Sequence, residues 1–169
     1  MLIGNYFKKI KPVYKNYYFS GLSFNSLSCR KNHIFFAIRG NKIDGNKFID
    51  EAIKKGAKTI VSNQKFEGIK NNVLYIKSLQ VRQLLSETSF SIQKNKPNNL
   101  VAVTGTNGKS SIADFYFQIL NLNKKKVASI GTLGIKTNSS YSKSSNTTLD
   151  PLKLSLCLDK LKKKDEVLK

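Results

Sequence analysis

Seven consecutive residues, Thr104-Gly105-Thr106-Asn107-Gly108-Lys109-Ser110, combine two glycines, a lysine and a hydroxyl at a spacing suited to holding phosphate groups. Backbone N–H groups in such a loop converge on phosphate oxygens, and a following helix adds the partial positive charge of its N-terminus. Glycines at 105 and 108 let the backbone approach closely. Lys109 is placed to neutralise the β/γ oxygens of a nucleoside triphosphate, and the Ser110 hydroxyl to help hold Mg²⁺. The common phosphate-loop formula, G-x-x-x-x-G-K-[ST], asks for a further glycine where this chain has Val103. The competing reading is a tight strand-to-helix turn with an incidental Gly-Lys-Ser.

For the loop to work it must join a strand to a helix. Leu100-Val101-Ala102-Val103 is a β-branched run that reads as the strand, and Ile112, Phe115, Tyr116, Ile119 and Leu120 recur at helical spacing over Lys109 to Leu122. Lys126 to Ile130 reads as the next strand, which predicts a parallel, right-handed β-α-β unit. Thr137 to Thr148 is a Ser/Thr/Asn-rich loop, and Pro151 opens a last helix from its first turn.

The preceding hundred residues carry a second set of elements. Ile34 to Ile38, Thr59 to Val61 and Val73 to Ile76 are short apolar runs that suit strands. Phe48, Ile49, Ala52 and Ile53 recur helically up to Gly56, and Leu79 to Ile92 forms a longer helix with Leu84, Leu85, Thr88 and Ile92 on one face. Met1 to Ser20 reads as an amphipathic helix and strand with solvated lysines. Pro97 and its flanking asparagines mark a linker, so the chain divides into domains at 1–97 and 98–169, both of the α/β class.

Composition excludes several function classes. The 40% hydrophobic content suffices for packed cores, yet no apolar run approaches the roughly 20 residues that span a bilayer. Neither membrane insertion nor a signal peptide is expected. Cys29 and Cys157 lie far apart and read as free thiols of a reducing, cytoplasmic compartment. His33 reads as a surface or strand-edge residue rather than a metal ligand. The net charge of +20 invites a nucleic-acid reading, but only three of 30 basic residues are arginines, the residue that base-edge recognition favours. No nucleic-acid partner is expected, and the chain reads as monomeric.

The loop Thr104 to Ser110 resembles the ATP loop of the Mur ligase family, whose pattern T-G-T-N-G-K-[ST] also lacks the first glycine, and of its folylpolyglutamate synthetase relatives. Other stretches are similar to the MurE type. Gly131-Thr132-Leu133-Gly134 resembles a segment after the second strand of its ATP domain. Asn146-Thr147-Thr148, followed by Leu149-Asp150-Pro151, resembles its N-T-T-P-D motif. Ile34 to Gly40, Asp44 to Ile49, Ala52 and Gly56-Ala57 resemble the D-I-F-F-A-I-x-G…D-G-x-x-F-I…A…G-A pattern of its UDP-binding domain. The D-S-R triplet of the uridine site falls on Asn25-Ser26-Leu27, where Ser26 alone is kept and Arg30 lies nearby.

The resemblance implies a small N-terminal α/β domain binding a UDP-muramoyl peptide, then an incomplete P-loop-type α/β ATP-binding domain. It implies an ATP- and Mg²⁺-dependent ligase that joins a free amino acid, meso-diaminopimelate or lysine, to UDP-N-acetylmuramoyl-L-alanyl-D-glutamate through an acyl phosphate. Gly105, Thr106, Asn107, Gly108, Lys109, Ser110 and Ser111 would hold ATP, with Lys109 catalytic and Ser110 on the metal. Ser26, Asn146, Thr147 and Thr148 would hold the UDP-sugar substrate. A helix cap is the other reading of the two threonines. The family's later E-V-S-S segment, carbamylated lysine and amino-acid-recognising domain have no counterpart in residues 1–169, so this chain alone is expected to be incomplete for catalysis. Two alternatives stay open: a non-catalytic fragment that binds nucleotide-sugar, and another ligase of the same superfamily.

Overall fold

A computed structural model describes the backbone of residues 1–40, 43–143 and 149–167, and the side chains of these up to residue 163. The chain forms two compact units, Met1–Lys94 and Asn95–Lys169.

The first unit is built on a five-stranded sheet. Strands β1 (Gly21–Ser23), β2 (His33–Phe36), β3 (Thr59–Ser62), β4 (Gly68–Lys70) and β5 (Val73–Lys77) lie in the order β1-β2-β3-β5-β4. The first four neighbours run parallel, and β4 closes the edge antiparallel to β5. Strands covered on both faces read as continuous apolar runs, which is how β2 and β3 appear in the sequence. Alternation then sorts their side chains. Phe35, Ile60 and Val73 join a buried cluster with Ile49 and Ala52 of helix α1 (Ile49–Lys54). On β2, Phe36 belongs to the opposite face and stacks on Phe7, with ring centroids 6.4 Å apart. Helix α2 (Val81–Ile92) buries Val81, Leu85, Thr88 and Ser89. Thr88 and Ser89 can be buried because their hydroxyls donate to the carbonyls of Leu84 (2.7 Å) and Leu85 (2.6 Å).

Met1 to Ser20 departs from expectation. It contains short 3-10 turns at Ile3–Asn5 and Pro12–Tyr14 and a single bridge between Leu2 and Tyr18, with no α-helix. Its aromatic residues serve as core instead: Phe19 is fully buried and meets Tyr6 edge-on.

In the second unit, helix α3 spans Lys109–Leu122 as expected, and helix α4 spans Pro151–Val167. Asp150 caps α4, accepting from the Lys153 amide at 2.9 Å. Two expectations are corrected. Leu100–Val103 is not a strand, and Leu100 and Val101 are exposed, because no described strand lies beside the run to pair its backbone. The expected parallel β-α-β unit is likewise replaced by an antiparallel meander of β6 (Ala128–Gly131), β7 (Gly134–Thr137) and β8 (Tyr141–Ser142). Part of the expected loop after Thr137 is therefore strand. Among the described residues, no helix is long and apolar enough to cross a membrane.

Candidate functional site

The loop ahead of α3 owes its shape to its glycines. Gly105 has φ +146° and Gly108 φ +76°, conformations that L side chains rarely adopt. A Cβ at Gly108 would meet nothing within 4 Å, so its requirement is conformational rather than steric. The left-handed residue at 108 turns the chain into the helix, and Ile112 N donates to Gly108 O at 2.9 Å to close the first turn. Thr104 to Gly108, Ser110 and Ser111 are exposed. The loop thus presents its backbone to solvent at the N-terminus of a 14-residue helix, where an anion is favoured. Lys109 folds back over it, donating its ammonium to the carbonyls of Gly105 and, at 3.0 Å, Thr106.

Ser110 offers one exposed hydroxyl oxygen beside this loop, a hard donor that suits Mg²⁺ as a single protein ligand. Among the described residues, no group of three or more His, Cys, Asp or Glu side chains could hold a metal ion.

Ser26 lies in the other unit. It opens a 3-10 turn, Ser26–Ser28, directly after the carboxyl end of β1. In open parallel sheets, ligands bind outside the carboxyl ends of the strands. The turn is tied locally: Asn25 Oδ1 accepts from Leu27 N at 3.0 Å, and Ser28 Oγ donates to Asn25 O at 2.9 Å. Asn25 thereby supplies a side-chain oxygen to the turn, whereas Leu27 is exposed. Ser26 itself is 5% exposed, and its hydroxyl donates to Glu51 Oε2 at 2.6 Å. Glu51 carried no signal of its own in the sequence; it sits beside an acidic neighbour in the first turn of α1 and reads as a solvated helix charge. Asn146, Thr147 and Thr148 lie outside the described residues.

His33 opens β2 with its Nδ1 buried and without a partner, and burial followed by the nearby Arg30 charge pulls its pKa below the ordinary value. Both cysteines are free, and burial pushes each thiol up.

Comparison with known proteins decides the family. The model of the Mur ligase family catalytic domain matches residues 18–90, and that of the Mur ligase middle domain matches residues 103–168. The chain belongs to the Mur ligase family. A UDP-N-acetylmuramoyl-L-alanyl-D-glutamate–2,6-diaminopimelate ligase of Rickettsia typhi is 39% identical over 127 residues, covering 75% of this chain and 25% of that protein. The same-named ligase of Bradyrhizobium diazoefficiens is 35% identical over 160 residues, covering 95% of this chain and 32% of that protein. This Mur ligase chain thus spans about a quarter to a third of the length of such relatives. A solved structure of a ligase of that name superposes with a TM-score of 0.73 at 26% identity, over 92% of this chain and 32% of the other. The MurF ligase from Thermotoga maritima in complex with ADP shares the fold, with a TM-score of 0.52 at 24% identity over 79% of this chain and 28% of the other.

Proposed function

We propose that this chain supplies the nucleotide-sugar-binding and ATP-phosphate-binding parts of a ligase that adds meso-diaminopimelate to UDP-N-acetylmuramoyl-L-alanyl-D-glutamate. The observation that carries the reading is the exposed Gly105–Ser110 loop, with two positive-φ glycines, at the head of α3 in a Mur ligase chain. Residues 1–97 form the precursor-binding domain and residues 98–169 the start of the ATP-binding domain.

The residues act chiefly by positioning and by charge stabilisation. Backbone N–H groups from Gly105 to Gly108 hold the triphosphate, and Lys109 leaves its carbonyl partners to meet the β/γ oxygens. Ser110, with Ser111 beside it, would supply the hydroxyl ligand to Mg²⁺. Bound Mg²⁺ supplies positive charge against the oxygens of the transferred phosphoryl group. The terminal carboxylate of the precursor would take the γ-phosphoryl group of ATP, with ADP as the leaving group, and the incoming amine would attack the resulting acyl phosphate, lose its proton and expel inorganic phosphate. Ser26, Asn146, Thr147 and Thr148 hold the UDP-muramoyl dipeptide, and the cytoplasm is the compartment of the reaction.

Calorimetric titration of the 169-residue chain with UDP-N-acetylmuramoyl-L-alanyl-D-glutamate tests the reading. Saturable binding at one site supports it; no heat of binding at millimolar precursor contradicts it. A second reading, nucleotide-sugar binding without ligation by this chain alone, is favoured by α3, where Ile112, Phe115, Tyr116 and Ile119 are all exposed.

A further inference from the structure

The turn that carries Ser26 is held by two kinds of contact. Those of Ser23, Asn25 and Ser28 stay within a few residues of one another. The Ser26 contact reaches across 25 residues of sequence to Glu51 on α1, at 2.6 Å. An ionised carboxylate has acceptors only, so the hydroxyl hydrogen of Ser26 is committed to Glu51. What Oγ retains is lone pairs. Towards any ligand, Ser26 can then accept a hydrogen bond but not donate one. A lone serine hydroxyl would rotate to suit either type of group; this one is fixed by a partner on a different element.

Accordingly, we infer that Glu51 is a positioning residue of the nucleotide-sugar site, which sets Ser26 as an acceptor for a pyrimidine ring N–H. The inference rests on the proposed reading of Ser26 as a contact to the UDP-linked precursor, and assigns that contact to the base. Its consequence is chemical selectivity. A uracil ring carries an N–H between its two carbonyls, whereas cytosine presents an unprotonated nitrogen at that position. An acceptor held there accommodates the first and opposes the second with its own lone pair. Discrimination of this kind comes from leaving a site's polar group unpaired, rather than from shape.

The test compares UDP and CDP binding to the 169-residue chain by calorimetry, for the native protein and for Glu51→Ala, Glu51→Asp and Glu51→Gln. Native protein should prefer UDP. In Glu51→Ala and Glu51→Asp, the second keeping the charge but shortening the reach, UDP affinity should fall about tenfold, as for one lost hydrogen bond, and the preference over CDP should shrink with it. Glu51→Gln keeps the reach but adds an N–H donor, so Ser26 is no longer confined to accepting and the preference should shrink there too. If Glu51→Ala does not fold, Glu51→Asp carries the test, and Ser26→Ala, which removes the acceptor without touching α1, sets the size of the loss to compare it with. Equal weakening of UDP and CDP, or an unchanged UDP preference in Glu51→Ala and Glu51→Asp, would overturn the inference while leaving the precursor site in place. Failure of the native chain to bind UDP would overturn the reading of the first unit, and this inference with it.

Discussion

Lys109 donates its ammonium to the Thr106 carbonyl at 3.0 Å, three residues back along the loop that it is expected to serve. With the Gly105 carbonyl as its other partner, the side chain folds back along the loop. Its partners are exposed backbone oxygens, which a phosphate can replace with stronger, charge-assisted bonds.

Lys109→Ala should therefore weaken nucleotide binding without unfolding the chain. The affinity for ATP with Mg²⁺, read by calorimetry, should fall at least tenfold, which is about the 1.4 kcal/mol expected from one charged hydrogen bond. Binding of the UDP-linked precursor should be unchanged. In a full-length ligase carrying these residues, the same substitution should abolish ATP-dependent ligation. Wild-type turnover in that variant would contradict the assignment of the loop.

Gly108 separates conformation from space. Its φ of +76° is left-handed, and a Cβ there meets nothing within 4 Å. Gly108→Ala should cost about 1–2 kcal/mol of backbone strain, and Gly108→Asn less, because asparagine visits this region with local hydrogen bonds. Thermal denaturation of the two variants checks the order. Equal melting temperatures for alanine and native protein would show that the loop does not hold this conformation.

The pH dependence of the first unit should reflect His33. Its pKa is lowered in the folded chain by burial first and by Arg30 second, so the unfolded chain binds more protons in the window below the ordinary value of 6.5. Stability therefore rises with pH through that window. It is fully present above about 6.5 and is lost as pH falls through the folded pKa. Urea unfolding at pH 7.5 and pH 5.0 should show the loss in native protein, and a smaller one in His33→Gln, which cannot titrate.

The face of α3 should be tolerant in this chain. Phe115 is 63% exposed and Ile119 58%, so Phe115→Ser and Ile119→Ser should each change stability by no more than about 0.5 kcal/mol. Both should reduce binding of an apolar dye, since large exposed apolar patches are what such dyes report. A loss of several kilocalories per mole in either variant would mean that the face is covered in solution.

Much of this was legible in the sequence, for identifiable reasons. Strands β2, β3 and β5 are short apolar runs bounded by turn residues; all three form where read, with β2 running from His33 and ending at Phe36, two residues short of Ile38. Helix α3 follows from the spacing of Ile112, Phe115 and Ile119, yet the same spacing misleads about burial, because an amphipathic face shows a need for cover rather than its presence. Leu100–Val103 fails as a strand for the parallel reason: β propensity needs a neighbour to pair with. The β4–β5 hairpin escaped notice because its turn uses Asn71-Asn72, both at positive φ, in place of the asparagine-glycine pair that signals such turns. Strand β1 and the 3-10 turn behind it are too short for periodicity to register. The bond from Ser26 to Glu51 is a tertiary contact between two residues with no motif in common, and only the folded arrangement brings it into view.

The central claim is that the Gly105–Ser110 loop holds the phosphates of a nucleoside triphosphate. Its most direct test is titration of the 169-residue chain with ATP and Mg²⁺, followed by the amide resonances of Gly105 to Ser110. The account predicts saturable shifts confined to this loop and the first turn of α3, displaced to at least tenfold higher ATP in Lys109→Ala. Shifts that persist undiminished in Lys109→Ala, or a loop that does not respond to ATP at all, would contradict it.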